Sequence, residues 1–75
     1  MKNYANRIEV NPKIMLGKPI IKGTRIPVYV ILDLLAQGYN TKKVLSEYPD
    51  LKMEDIAGAL QFAAEMTRFD ERIHA

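Results

Sequence analysis

The sequence predicts a mainly α-helical domain in which three helices follow a short section of β-strands and turns. Three observations favour this fold class. The spacing of apolar residues changes from alternation to a helical period at Pro27. A short turn that contains a proline, Tyr48 to Leu51, separates the second predicted helix from the third. The chain has 75 residues and no cysteine, so we expect a single domain without disulfides. Three helices with a short turn before the third are typical of a helix-turn-helix domain, which we expect to span residues 1–75.

Residues 1–26 form the section of strands and turns. Ile8, Glu9 and Val10 alternate in polarity, and Gly17 lies in the break before Ile20-Ile21. This pattern predicts short strands or a small β-hairpin, with Gly17 supplying the turn. Gly23 predicts a second turn just before the helical section, residues 27–75.

The first two helices are bounded by residues that start and stop helices. Proline suits a first helical turn, so the first helix should begin at Pro27 and end at Gly38. Its apolar face is formed by Ile31, Leu34 and Leu35. We expect Thr41 to cap the second helix and Pro49 to end it. The face of that helix that points to the core carries Val44, Leu45 and Tyr48.

The third helix should run from about Met53 to Ile73 and carries two apolar stripes. We assign Ile56, Leu60 and Ala63 to the core. A second stripe has the spacing of a coiled-coil seam and consists of Ala59, Phe62, Met66, Phe69 and Ile73. We expect this stripe to bind a protein partner and to make the chain a homodimer; the alternative is that it only closes the monomer's own core. The predicted solvent face carries Glu54, Gly58, Gln61, Glu65, Arg68 and Arg72.

The charges are unevenly distributed along the chain. Residues 1–26 carry six basic residues and one acidic residue, whereas residues 27–75 carry five basic and eight acidic residues. A basic section of this kind suits a polyanion such as DNA, although a solvated surface has the same composition. The residues that we predict to contact DNA are Lys18, Lys22, Arg25, Lys42, Lys43 and Gln61. Gln61 is the one that could pair with a base, namely adenine.

No group of residues predicts catalysis. Cysteine is absent, the carboxylates form no metal or acid-base motif, and His74 has no second histidine or hydroxyl at a useful spacing. We therefore expect no enzymatic activity, no metal and no cofactor. The first ten residues lack the apolar run of a signal peptide, and no stretch has membrane-spanning length. We accordingly expect a cytoplasmic protein that does not bind membranes.

Several blocks of the sequence occur in the order and spacing of a known family. They are Gly17-Lys18-Pro19-Ile20-Ile21-Lys22-Gly23-Thr24-Arg25-Ile26-Pro27-Val28, Leu34-Leu35-Ala36-Gln37-Gly38, Tyr48-Pro49-Asp50-Leu51 and Glu54-Asp55-Ile56. With these blocks, the chain from about Ile8 to Met66 resembles the domain-of-unknown-function family number 433. Two residues depart from the family's pattern: Lys52 stands where Thr or Ser usually opens the third helix, and Gly58 replaces a better helix former.

The resemblance implies a homeodomain-like or winged helix-turn-helix fold. It also implies an antitoxin of a bacterial type II toxin-antitoxin pair, whose toxin resembles a PIN-type ribonuclease. We therefore expect a DNA-binding regulator that represses its own operon and neutralises such a toxin. The residues expected to contact partner proteins are Phe62, Met66, Arg68, Phe69, Arg72 and Ile73, with Arg68 and Arg72 competing for the carboxylates that hold the nuclease's metal. The alternative function is a protein-interaction module that binds no DNA.

Overall fold

Three helices make up most of the structure. The computed structural model describes the backbone of residues 5–74 and the side chains of residues 6–68. Helix α1 spans Val28–Ala36, α2 spans Thr41–Glu47 and α3 spans Met53–His74. None of the helices in this described part is long and apolar enough to cross a membrane. The predicted mainly α fold with three helices is confirmed.

The boundaries of α1 follow from backbone geometry. Pro27 precedes the helix with a φ of −66°, the value that its ring imposes and that a first helical turn requires. Gly38 follows the helix with a φ of +99°. Left-handed glycines commonly end helices in this way, because they lack the Cβ atom that makes the conformation costly for other residues.

A small antiparallel sheet precedes the helices, as predicted. Strand β1, Ile8–Glu9, pairs with strand β2, Ile20–Ile21, with Ile8 opposite Ile21. After β2 the chain reverses, because the backbone N–H of Thr24 donates to the carbonyl of Ile21 at 3.0 Å and Gly23 adopts a φ of +83°. The chain then returns beside β2, where the N–H of Ile21 donates to the carbonyl of Ile26 at 2.9 Å.

The loop between the strands contains a strained turn. Gly17 has a φ of +82°, as expected for the predicted turn, but Met15 and Leu16 are also left-handed, with φ values of +53° and +58°. Such a conformation costs residues with a Cβ atom about 1–2 kcal/mol each. Leu16 is 93% exposed. Packing of its side chain within the domain therefore does not offset this cost.

The core lies where the three helices meet the sheet. Its buried apolar residues are Ile20, Ile21, Val28, Ile31, Val44, Leu51, Ile56 and Ala59. The remaining residues of the predicted faces of α1 and α2, Leu34, Leu35, Leu45 and Tyr48, are partly buried against this core. The predicted inner faces of α1 and α2 are therefore confirmed.

The predicted inner face of α3 is partly wrong. Ile56 is buried, but Leu60 is 49% exposed, and Ala63 is only half-buried. Ala59 and Phe62, which the sequence assigned to a partner interface, instead face the core: Ala59 is buried and Phe62 packs against the core cluster. Gly58, predicted to face solvent, is buried as well.

One ion pair explains how α3 is rotated. The Asp55 side chain points inward and is only 3% exposed. Its Oδ1 accepts a hydrogen bond from Arg7 Nε at 2.8 Å and lies 2.7 Å from Arg7 Nη2. Residues three and four positions further along a helix lie on the same side. The inward Asp55 therefore turns Gly58 and Ala59 inward and leaves Leu60 outside.

Side-chain oxygens cap the starts of α2 and α3, and α3 begins at Met53 as predicted. Asn40 caps α2, since its side-chain oxygen accepts from the N–H of Lys43 at 2.8 Å; Thr41 is the first helical residue. Asn is among the strongest N-caps, so the prediction of Thr41 was wrong by one position. At α3 the N–H of Lys52 donates to Asp55 Oδ2 at 2.9 Å. The carboxylate thus compensates for the poor capping residue Lys52.

Removal of Arg7 should destabilise the domain. Arg7→Ala leaves the Asp55 carboxylate buried without its cation, which should lower the free energy of unfolding by about 2 kcal/mol, below the range for a fully buried pair because Arg7 is partly exposed. Arg25→Ala, which removes an exposed arginine, is the matched control and should change it by less than about 0.5 kcal/mol. Urea unfolding followed by circular dichroism measures both. Equal stability of the two variants would contradict the role given to Arg7.

Removal of the Leu16 side chain should stabilise the domain. Glycine adopts the left-handed conformation without the steric cost, so Leu16→Gly should raise the free energy of unfolding by about 0.5–1 kcal/mol, despite the greater entropy of glycine in the unfolded chain. The same urea titration measures the change. Met66→Gly, a change of an exposed apolar residue within α3, is the control and should destabilise by roughly 1 kcal/mol. A destabilised Leu16→Gly variant would argue against strain at this turn.

Candidate nucleic-acid interface

The turn that carries Lys22 and Arg25 is held against the beginning of the chain. The backbone N–H of Lys22 donates to the carbonyl of Arg7 at 2.8 Å. Within the turn, Thr24 Oγ1 donates to the carbonyl of Ile21 at 2.8 Å and accepts from the N–H of Ile26 at 3.0 Å. These bonds fix the backbone and leave the Lys22 and Arg25 side chains exposed. The turn therefore presents two cations on a rigid support.

The same Arg7 connects this turn to the start of α3. Its guanidinium binds Asp55, and the Asp55 carboxylate in turn accepts from the N–H of Lys52. Lys52 is exposed, and so is Glu54. One of the two acids in the first turn of α3 is thus buried and neutralised. The start of the helix is consequently less acidic than the sequence suggested, and three basic residues, Arg7, Lys22 and Lys52, are linked through it.

Lys18 and Lys43 each lie over an aromatic ring. The Lys18 Nζ atom is 5.2 Å from the centroid of the Tyr29 ring, and the Lys43 Nζ atom is 4.2 Å from that of Tyr39. Cation-π contacts at exposed sites contribute about 0.5–1 kcal/mol. The contact with Tyr39 accounts for a lysine in the first turn of α2, where the helix dipole disfavours positive charge.

The predicted cations do not form one cluster. Lys18 lies beside Tyr29 at the beginning of α1, and the turn from Lys22 to Arg25 immediately precedes that helix. Lys42 and Lys43 follow the other end of α1, a helix about 13 Å long. Gln61 is half-buried on α3, about 13 Å along the helix axis from Lys52. Lys22, Arg25 and Lys52 are exposed on segments that Arg7 and Asp55 connect, and Lys18 is exposed beside Tyr29. We call these four residues the main basic surface; Lys42 and Lys43 are a separate pair.

The sequence pattern did not indicate Lys52 as a member of this surface, nor Arg7 as the residue that supports it. Asp55 stands three residues after Lys52, which is the spacing of the acid in a capping box and was a usable local signal. Its second partner, Arg7, is 48 residues away, and no spacing rule indicates such a contact. Among the described residues there is no group of three or more His, Asp or Glu side chains that could hold a metal ion.

The residues predicted to bind a partner protein are dispersed. Phe62 is half-buried and packs against the core, which agrees with the alternative that it closes the monomer's own core. Met66 is 64% exposed, and Arg68 is exposed and pairs with Glu65 one turn earlier. The side chains of Phe69, Arg72 and Ile73 lie outside the described residues.

Comparison with known proteins places this domain in a family. The family model described as "Protein of unknown function (DUF433)" matches residues 8–63. The chain belongs to the DUF433 family. The matched range runs from β1 into α3, so it includes the main basic surface and Asp55.

A DUF433 protein with a crystal structure, from Anabaena variabilis, has the same fold. It is 31% identical, and the superposition covers 93% of this chain and 70% of that one with a TM-score of 0.77. The protein y4eO of Sinorhizobium fredii is 36% identical over 53 residues, which are 71% of this chain and 24% of y4eO. An Archaeoglobus fulgidus protein is 68% identical over 22 residues, or 29% of this chain and 61% of that protein. The chain thus spans about a quarter and three fifths of these two relatives.

Proposed function

We propose that this DUF433 protein is a non-enzymatic, DNA-binding regulator that contacts the phosphate backbone through its main basic surface and through Lys42 and Lys43. The observation that carries the proposal is the neutralisation of Asp55 by Arg7. The pair removes an acid from the start of α3 and links Lys22 to Lys52 through Arg7 and Asp55. Exposed lysine and arginine side chains on a rigid support are the groups that bind phosphates.

The composition around this surface favours an anionic partner. Residues 10–32 contain four basic residues and no aspartate or glutamate. Each phosphate contact releases condensed counterions, so a surface of this kind binds DNA in a salt-dependent and largely sequence-independent way. The positive end of the α3 dipole, next to Lys52, adds to the attraction. In this proposal α3 contacts DNA through its first turn, and Gln61 is less well placed to contact a base.

We propose in addition an antitoxin role in the cytoplasm, in which the part of α3 after the family match binds a PIN-like ribonuclease. This part of the proposal depends on the family resemblance and on one exposed apolar side chain, Met66, on a helix that continues to His74. An exposed methionine followed by Arg68 suits a groove with an acidic rim. Repression of the protein's own operon would then depend on the amount of free nuclease.

Loss of the basic side chains should weaken DNA binding for all sequences alike. The variant Lys22→Ala/Arg25→Ala/Lys42→Ala/Lys43→Ala removes four proposed phosphate contacts. The slope of log Kd against log salt concentration should therefore fall by about 0.9 for each basic side chain that no longer binds a phosphate. Fluorescence anisotropy with the upstream DNA and with an unrelated duplex, at several salt concentrations, measures the slope.

A charge-preserving variant separates electrostatics from folding. Lys22→Arg/Arg25→Lys/Lys42→Arg/Lys43→Arg keeps every charge and should retain the wild-type salt slope. If the alanine variant bound both duplexes as the wild type does, the basic surface would be structural. A wild-type protein that binds neither duplex at low salt would favour the interaction module without DNA binding.

A charge at Met66 should abolish neutralisation of the nuclease. Met66→Asp introduces a carboxylate at the proposed contact without disturbing the core, because the methionine is exposed. Cells that express a PIN-like nuclease from an adjacent open reading frame should be rescued by the wild type and by Leu16→Asp, a matched exposed position on the strand loop, but not by Met66→Asp. Rescue by Met66→Asp would place the nuclease contact elsewhere in the domain.

A further inference from the structure

Helix α3 has an apolar face that its own domain leaves uncovered. Met53 is 53% and Leu60 49% exposed, Ala57 is half-buried and Ala64 is exposed. These four residues, which we call the α3 seam, follow one another at spacings of four, three and four. With 100° per residue they lie within about 60° of one another around the helix axis, on a strip about 16 Å long. Spacings of this kind are typical of a helix that packs along a second helix.

The chemistry of the α3 seam suits a protein surface better than a DNA groove. Major-groove contacts require hydrogen-bond donors or acceptors and cations near the phosphates, and the seam offers none. Its alternation of large and small residues allows a facing helix to approach closely. A leucine from one helix then has space against an alanine of the other.

The charges beside the α3 seam indicate which helix binds there. Glu54 and Arg68 are both exposed and are 14 residues apart, so they lie close to the same edge of the seam, near its two ends. A second copy of α3 that runs antiparallel brings the same edges together and places each Glu54 next to an Arg68. A parallel copy would place this edge against Ile56, which is buried, and Ala63, which is half-buried. Neither side chain carries a charge that could pair with Glu54 or Arg68.

We propose that the protein forms an antiparallel homodimer through the α3 seam, with the twofold axis beside Gln61. Each Glu54 then faces Arg68 of the second copy, and the two Leu60 side chains lie beside each other at the axis, each next to Ala64 of the other helix. Arg68 also pairs with Glu65 of its own chain. A guanidinium has five N–H donors, so it can bind both carboxylates. The sequence predicted a homodimer through the stripe that contains Phe62, whereas this homodimer uses a different face of the same helix. Formation of the dimer does not depend on DNA binding.

A charge at the centre of the α3 seam should produce a monomer. Sedimentation equilibrium without DNA should show a dimer for the wild type at tens of micromolar. Leu60→Asp should weaken association by about 100-fold, because two carboxylates would be buried against apolar atoms. The control Leu16→Asp adds the same charge at an exposed leucine outside α3 and should stay dimeric. Circular dichroism confirms that each variant is folded. A monomeric wild type, or a folded and dimeric Leu60→Asp, would overturn the proposal.

Exchange of the charges tests the antiparallel arrangement. Glu54→Arg alone and Arg68→Glu alone each turn both intermolecular pairs from attraction to repulsion and should raise the dimer Kd about tenfold. The double variant Glu54→Arg/Arg68→Glu restores opposite charges and should return the Kd to within about threefold of the wild type. Additive effects of the two changes would exclude this register. Because these measurements contain no DNA, they are independent of the proposed DNA binding.

Discussion

The buried Asp55 carboxylate is the constraint on which the rest of the structure depends. Both of its oxygens are used: Oδ1 accepts from Arg7, and Oδ2 accepts from the backbone of Lys52. A buried carboxylate is tolerated only with such partners. Their positions fix three things at once. Arg7 is held against α3, the first turn of α3 is capped, and the turn at Lys22 is placed beside both through the Arg7 carbonyl. The rotation of α3, and with it the division into a covered and an exposed face, follows from the direction of this one side chain.

Most of the fold could be predicted because its signals are local. Pro27 and Gly38 bound α1 through their own backbone preferences, and the turn between α2 and α3 is closed by a bond from the N–H of Leu51 to the carbonyl of Tyr48. The inner face of α3 could not be predicted in the same way. Its two apolar stripes have the same helical spacing, so periodicity could not indicate which of them is covered. That choice depends on Asp55 and Arg7, which are far apart in sequence. For this reason the pattern alone predicts Leu60 inside the core and Phe62 outside it, the reverse of what the structure shows.

The candidate site shows the same limit. The excess of basic residues before Pro27 is visible in the sequence, and it indicated Lys18, Lys22 and Arg25 correctly as exposed cations. Composition does not show which acid is removed from the surface by pairing. Asp55 and Glu54 are adjacent and have the same charge, yet one is buried against Arg7 and the other is exposed. The position of Lys43 in the first turn of α2 could have been explained from the sequence. Tyr39 stands four residues earlier, close enough for the cation-π contact.

The proposed DNA binding and the proposed dimerisation use different surfaces of the domain. If the apolar face of α3 binds a second copy, it cannot also lie in a DNA groove, and DNA contacts are left to the strand section, to the start of α3 and to the lysines of α2. A single copy with about four phosphate contacts binds DNA weakly at physiological salt, because such contacts carry little affinity beyond counterion release. Two copies joined by α3 present twice as many contacts to one duplex. The second set then binds at a high effective concentration rather than from free solution. Dimerisation through a face without cations would in this way supply the affinity that the small basic surface of one chain lacks.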